Sequence, residues 1–527
     1  MTCIIILVAA LAVSATADGF VASDSKILLN PPCYDSKSPE CQQNPQGDLL
    51  PAVSYSEFID RGMKFLLEDQ ETWYKGESIT DESGQALPPY FRHAKLRPDG
   101  KPYSKPTIDR GVVYPAFHHA IAIQAFLRYF LYSGNEEALH RARQLADWNI
   151  SHSTLKSWPY GSLPYSTFSN GVPGGFVDGD AIMTDKPAMM GLAYLDLHRA
   201  TGEAPYLEAA VRIADTLAKN QTTNGDWPFR VNPKTGEVRE AYTSSAIYAV
   251  MLFEALDRVG AGQPYLQHHD RALQWVLDNP VRTMDWRGFY EDVGNSPENR
   301  TNWDCIDTAR YLLVHRDDLP QALAKAKHLN QWIEETFVDR HHLYAPAPGV
   351  REQKVCFSIM GGHGMHWAMM LADLYHVTGD ARLRRDIVQV MNFMTYHLQP
   401  NNRVIVGPKH GLKHPEGAPY WFSTQFSSIF FFLELFHEIP ELAPNGQSHL
   451  LYTTGRVRNI RYVDNMVTYV TDGSSEDILK LAFVPREIAF NGKKIPANTQ
   501  VWTFNLDTHI CVIHNAQGKV NIKGQER

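Results

Sequence analysis

The sequence predicts a mainly α protein, an (α/α)6 toroid of six helical hairpins followed by a small C-terminal β-domain. Three observations carry that expectation. A unit recurs with a period of about sixty residues, the helical segments number twelve, and the patterning changes to strand-like alternation past Ala443.

The repeat is read from its turns. Helix pairs meet at SGNEEALHRARQLADWNI from Ser133, TGEAPYLEAAVRIADTLAKN from Thr201, GAGQPYLQHHDRALQWVLDN from Gly260, RDDLPQALAKAKHLNQWIEE from Arg316 and TGDARLRRDIVQVMNFMTYH from Thr378. Glycine ends the incoming helix in the left-handed region, and an acidic residue or Asn suits the next N-terminus. Leu139, Leu145 and Trp148, then Leu207, Ala210, Ile213 and Leu217, keep the helical spacing that buries one face. The preceding helices, over 116–132, 185–200, 242–259, 301–314, 363–377 and 420–437, are apolar nearly all round, as expected of an inner ring. YSEFIDRGMKFLLEDQ over 55–70 supplies the sixth outer helix. An open solenoid shares this periodicity. Twelve helices favour closure, as do the connections: short turns within hairpins, long loops rich in Trp, Tyr, Gly and Pro between them.

This architecture, with segments such as NGDWPF from Asn224, resembles the six-hairpin glycosidase-like superfamily over roughly 55–440. That group includes unsaturated uronyl hydrolases, polysaccharide lyases and the helical domain of uronyl epimerases. The resemblance implies a substrate cleft at the N-terminal ends of the inner helices, fed by the long loops. Beyond 440, two alternating stretches with a turn signal at Asn491-Gly492 make 441–527 the β-domain, in a supporting or glycan-binding role.

The 527 residues, 44% hydrophobic and 20% charged, suffice for a large globular core. The formal charge of -8 and the lack of a basic run argue against a nucleic-acid partner. An apolar run from Cys3 to Ala15 ending in Ala15-Thr16-Ala17 reads as a signal peptide over 1–17, ahead of an N-terminal extension over 18–54, so a secreted protein is expected. No later stretch is apolar enough to span a membrane. Cys33 and Cys41 flank a short polar loop and are the expected disulfide. Cys305, Cys356 and Cys511 match no zinc spacing, and neither a metal nor a cofactor is expected. Sequons stand at Asn149, Asn220 and Asn299.

The loops carry the candidate site. Trp158, Trp227, Trp286, Trp303, Trp367 and Trp421 recur at similar points of successive units. Their faces suit a pyranose, and each could equally be a core wedge. Glycoside hydrolysis needs two carboxyl groups. Asp178, Asp180 and Asp185 in one loop and Asp304 and Asp307 in another are the first candidates, with capping as their ordinary alternative; Glu240 and Glu291 follow. β-Elimination needs a base and a charge neutraliser. His363, His366, Tyr290 and Tyr420 could be bases, and Asn302, Arg230 and Arg310 neutralisers. His363 and His366 also stand at a metal-compatible spacing, without a third ligand, and of His118 and His119 at least one should be packing. Loop cations at Arg92, Lys95, Arg110, Lys186, Arg230, Lys409, His410, Lys413 and His414 would favour an anionic, uronate-containing glycan if they converge. The expected function is cleavage of such a glycan by a secreted hydrolase. Elimination stands second, epimerisation stays open, and the rivals from other classes are an isoprenoid cyclase, against which secretion argues, and a non-catalytic glycan-binding protein.

Overall fold

The computed structural model describes residues 41–67, 112–169, 172–174, 179–342, 344–408, 421–496 and 500–524. Six inner helices are α2 (Ala120–Ser133), α4 (Lys186–Thr201), α6 (Ile247–Arg258), α8 (Trp303–Val314), α10 (Gly361–Thr378) and α12 (Phe422–Glu438). Their outer partners are α3 (Glu136–Ser151), α5 (Ala204–Asn220), α7 (Leu266–Asp278), α9 (Ala322–Phe337), α11 (Ala381–Thr395) and α1 (Tyr55–Leu67). Each inner helix packs on the next, and α12 returns to pack on α2, so the ring closes. The first helix of the ring completes the last hairpin by packing on α12, with Phe58 and Tyr55 against Phe432.

The local chemistry follows the sequence. Gly134, Gly202 and Gly379 end α2, α4 and α10 with φ near +70° (74°, 75° and 67°), where a Cβ would be strained. Asn135 and Asp380 cap α3 and α11 by accepting from the backbone N–H groups of Glu137 (2.9 Å) and Arg382 (3.0 Å). One apolar core runs through the ring and on into the sheet beyond it. Polar pairs cross between inner helices inside the ring: Arg128 with Glu434, Gln124 with Asp196 (2.9 Å) and Arg310 with Asp373 (2.7 Å).

Two departures matter for the site. Helix α6 starts at Ile247 rather than near 242, because 242–245 are tied to a neighbouring loop: the Thr243 hydroxyl donates to Gly288 O (2.5 Å), and Ser244 N–H and Oγ both donate to Arg287 O (3.0 and 2.8 Å). The long loops also fold into small antiparallel patches. In one, Ile182–Met183, Arg230–Val231 and Val238–Glu240 lie side by side.

The C-terminal residues form a seven-stranded antiparallel sheet. Its strands are β1 (His449–Thr453), β2 (Val457–Val463), β3 (Met466–Lys480), β4 (Pro485–Phe490), β5 (Lys493–Ile495), β6 (Trp502–Asn505) and β7 (Ile510–Gly524). The main order is β2-β3-β7-β4-β5, with β1 on β3 and β6 on β7. Asn491 and Gly492, both with positive φ (48° and 82°), join β4 to β5 as the two-residue turn that the sequence predicts. The sheet packs on the C-terminal ends of α2 and α12. His449 stacks on Tyr132 (3.6 Å) and bonds its carbonyl (2.8 Å), the Tyr462 hydroxyl donates to Leu131 O (2.5 Å), and Tyr452 stacks on His437 (4.0 Å). The sheet therefore supports the face of the toroid opposite the inner-helix N-termini.

Near the start of the described chain, Gln42 to Ala52 straps α11. Leu49 N–H donates to Gln389 Oε1 (2.7 Å), Ala52 N–H to Thr395 Oγ1 (2.8 Å) and the Tyr396 hydroxyl to Leu50 O (3.0 Å). Cys33 lies outside the described residues, and with it the expected bridge to Cys41; no disulfide occurs among the described residues. Among those residues, too, no helix is long and apolar enough to cross a membrane.

The sequons are occupied by the fold itself. Asn149 Nδ2 bonds His119 Nδ1 (2.9 Å) and Leu145 O (2.8 Å), Asn220 Nδ2 donates to Pro159 O (3.0 Å), and Asn299 Nδ2 donates to Gln353 Oε1 (2.8 Å). A glycan replaces one of the two Nδ2 hydrogens, so it would break a bond at Asn149 and at Asn220, whose Nδ2 also donates to Thr216 O (2.8 Å), and it would need space that buried Asn299 does not have. Folded protein made in a eukaryotic secretory host is expected to carry no N-glycan at these asparagines. Intact mass before and after amidase treatment checks this, and a shift mapped to any of the three would contradict it.

Candidate active site

A small open cleft of about 70 Å³ lies at the N-terminal ends of α2, α8, α10 and α12. Its walls include Tyr114, Phe117 and His118, the loop residues Tyr290, Glu291 and Asp292, and Trp303, Glu352, His363 and Trp421. Each element has a local reason to be there. A π-turn over Pro115–His119 opens α2, and such turns re-aim side chains where a regular helix could not. His118 enters the cleft wall while His119, 1% exposed, turns away to Asn149. The glycines of GGHG let α10 approach α11: a Cβ on Gly361 would stand 2.4 Å from Met394 Sδ. The loop over 285–299 is latched to 240–245 by the bonds that delay α6, by Tyr242 donating to Asp285 O (2.7 Å), and by the Asn295 side chain donating to Tyr242 O.

His363 is held from both sides. The Asn302 amide donates through Nδ2 to Arg351 O (2.8 Å), so its Oδ1 accepts from His363 Nδ1–H (2.8 Å). The other ring nitrogen, Nε2, then accepts from the Tyr290 hydroxyl (3.2 Å). Burial, with the nearby His366 charge, pushes His363 down to about 3, and burial lifts the Tyr290 phenol well above its ordinary range. Both groups are neutral at neutral pH. Trp303 stands edge-on to His363 (5.1 Å) and to Phe117 (5.5 Å) and so forms the floor between them.

The carboxyl groups divide by environment. Glu291 is only 4% exposed, and its Oε1 has no hydrogen-bond partner among the described residues. Burial pushes its carboxyl up to about 8, against the opposing charge of Lys186. Lys186 is fully buried beside Asp185 (3.2 Å), with its ammonium over the Phe289 ring (3.2 Å) and near Phe117 (4.8 Å). Burial likewise raises Asp185, and raises Asp304 to about 6.

Several residues singled out by sequence sit elsewhere. Asp304 is sealed beneath the cleft by the hydroxyls of Ser244, Ser245 (3.2 Å) and Thr301 (3.2 Å), as fits a carboxyl in the first turn of a helix. Asp307 bonds the Tyr248 hydroxyl (2.8 Å) and His366 Nε2 (2.8 Å) inside the ring. Burial raises its carboxyl, but the His366 charge and these bonds outweigh that and hold it low. His366 is thereby a packing histidine, stacked on Phe431 (5.1 Å) one turn below His363. Asp180 is exposed outside the wall, bonded by Asn232 (2.6 Å). Arg310 belongs to Asp373, and buried Arg230 faces the back of the 290–293 loop. Trp227 donates to Leu217 O (2.8 Å), and Trp286 and Trp367 are fully buried wedges. Trp158 is half-buried in the loop after α3, away from the cleft walls. Asp178 and Tyr420 lie outside the described residues. Glu352, a cleft residue, carried no spacing signal; it comes to the wall through the short Val338–Asp339 and Gly349–Val350 pairing. Among the described residues no cluster of three or more metal-ligating side chains occurs.

No family model matches the chain, and no curated protein does either. Solved structures do. The chain is similar to cellobiose 2-epimerase from Spirochaeta thermophila DSM 6192, with a TM-score of 0.50 and 12% identity over 75% of this chain and 100% of that one. What the two share is the fold, a closed toroid of helical hairpins. Two further six-hairpin structures resemble it more loosely. A family 76 glycoside hydrolase from a bovine Bacteroides thetaiotaomicron strain gives a TM-score of 0.48 and 11% identity over 73% of this chain and 79% of that one. An unsaturated glucuronyl hydrolase specific for heparin gives 0.46 and 10% over 73% and 98%. At these identities the likeness is one of fold.

Proposed function

We propose that the protein is a carbohydrate-active enzyme that hydrolyses glycosidic bonds, with Glu291 as proton donor and Glu352 or Asp292 as the carboxylate that activates water. One observation carries this reading: a carboxyl held near 8 by burial in the cleft wall, so protonated at neutral pH, beside two further carboxyl groups and the rings of Trp303 and Trp421. Inverting and retaining hydrolysis both need one protonated and one ionised carboxyl flanking the bond. The aromatic rings offer the apolar platform for a sugar face. Elimination would call on Tyr290 or His363 as base, and burial leaves the first protonated and the second weakly basic.

The described wall holds three carboxyl groups and no Lys or Arg, a lining that suits a neutral ring. Of the loop cations behind the uronate expectation, Lys186 and Arg230 are buried and do not line this wall, and Arg92, Lys95, Arg110, Lys409, His410, Lys413 and His414 lie outside the described residues. The leader-like pattern over 1–17 supports the further proposal that the enzyme acts outside the cell.

The test incubates the protein with neutral and uronic polysaccharides, counting reducing ends and following the ultraviolet absorbance of unsaturated uronates. New reducing ends without absorbance are expected. Absorbance rising with the ends would move the reaction to elimination, and silence on every chain would overturn glycan cleavage.

A further inference from the structure

We propose that Arg230 and Glu240 are positioning residues that hold the proton donor's loop in place, a role that rests on the hydrolytic reading of Glu291. The two face each other across the Arg230–Val231 and Val238–Glu240 ladder, as Cα partners in its register. Arg230 is 1% exposed, so it does not reach substrate. Its Nη1 donates to Glu240 Oε1 (2.6 Å). Its Nη2 donates to three carbonyls of one loop, Tyr290 O (2.9 Å), Glu291 O (3.3 Å) and Val293 O (3.0 Å). The other oxygen of Glu240, Oε2, accepts from Asn295 N–H (2.9 Å).

One ion pair thus grips both limbs of the turn that carries Tyr290 and Glu291. Those carbonyls are held from behind while the two side chains face the cleft. The planar guanidinium is well matched to this role, since it directs donors at fixed angles to several acceptors, which an ammonium on a flexible stem does not. The same ladder ties the grip to the start of α4, since Met183 pairs with Arg230 just ahead of Asp185 and Lys186. Buried carbonyls left without a donor would pull the loop toward water and move the Glu291 carboxyl with it. Displacement of a reacting group by about 1 Å is enough to cost ~10²-fold in rate.

The experiment makes Arg230→Lys and Glu240→Gln in the full chain. It measures kcat and KM on the cleaved glycan, the pH profile of kcat/KM, and amide hydrogen exchange across 286–297 and across the inner helices. For Arg230→Lys, kcat is expected to fall ~10- to 10²-fold with KM within about threefold, and the alkaline limb to move to lower pH as Glu291 gains solvent. Exchange should quicken over 286–297 and stay unchanged in α2, α8 and α10. Glu240→Gln, which keeps one acceptor, should shift everything in the same direction by less, and it carries the comparison alone if Arg230→Lys does not fold. Unchanged exchange over 286–297 overturns the proposal, as does faster exchange with kcat within twofold of wild type. A wild-type chain that hydrolyses no glycan overturns the role through the reading it rests on. That failure is told apart because the exchange comparison still shows whether the pair holds the loop.

Discussion

Glu291→Gln is expected to lower kcat on a natural glycan by ~10²- to 10⁴-fold while raising the stability of the fold at alkaline pH. The two effects share one cause. Burial lifts the Glu291 carboxyl from its ordinary value of 4.5 to about 8, so between those values the folded chain holds a proton that the unfolded chain releases. The stability tied to that proton is fully present below about pH 4.5 and is lost as pH rises through 8. Glutamine has nothing to lose. The variant should therefore match wild type near pH 4.5 and exceed it at pH 8 by on the order of a few kcal/mol. Asp304, raised to about 6, makes both proteins less stable over a lower window and does not mask the difference. Denaturant unfolding at both pH values checks this. Parallel pH profiles of stability, or a variant with wild-type kcat, would contradict it.

The tryptophans separate in the same way. Trp286 is fully buried with Trp332 beside it (6.4 Å), whereas Trp421 stands half-buried on the cleft wall. Trp286→Ala is expected to destabilise the fold by ~3–5 kcal/mol, the cost of a large core cavity, with KM unchanged in the folded fraction. Trp421→Ala should leave stability within ~1 kcal/mol and raise KM several-fold to about tenfold, the worth of one stacked ring. Thermal unfolding and initial rates decide. A stable Trp286→Ala with raised KM would put that ring in the cleft and contradict the assignment.

The toroid was legible because its signals are local and repeated. Turn glycines such as Gly134 and Gly202, capping residues such as Asn135, and all-round apolar helices such as α12 each state their place without reference to distant residues. The Asn491-Gly492 turn is of the same kind. The site was legible only in outline. The sequence singles out the loops that feed it, with Tyr290, Asn302 and Trp421 in them and Trp303 and His363 in the first helical turns they lead into. Which acids face the cleft was not, because an aspartate in a helix's first turn looks the same in sequence whether it meets water or three hydroxyls, as Asp304 does. Arg230 misled for a related reason: a cation in a loop reads as a ligand for an anion, and here the acceptors are carbonyls of another loop. Glu352 was missed because a two-residue strand pairing has no periodicity to detect.

Leaving-group dependence tests most directly whether Glu291 protonates a departing sugar oxygen. Wild type and Glu291→Gln would be compared on the cleaved natural glycan and on an aryl glycoside of the same sugar whose phenolate leaves without a proton. A large loss on the glycan and a small one on the aryl glycoside are expected if Glu291 is the proton donor. An equal loss on both, or none on either, would contradict that role.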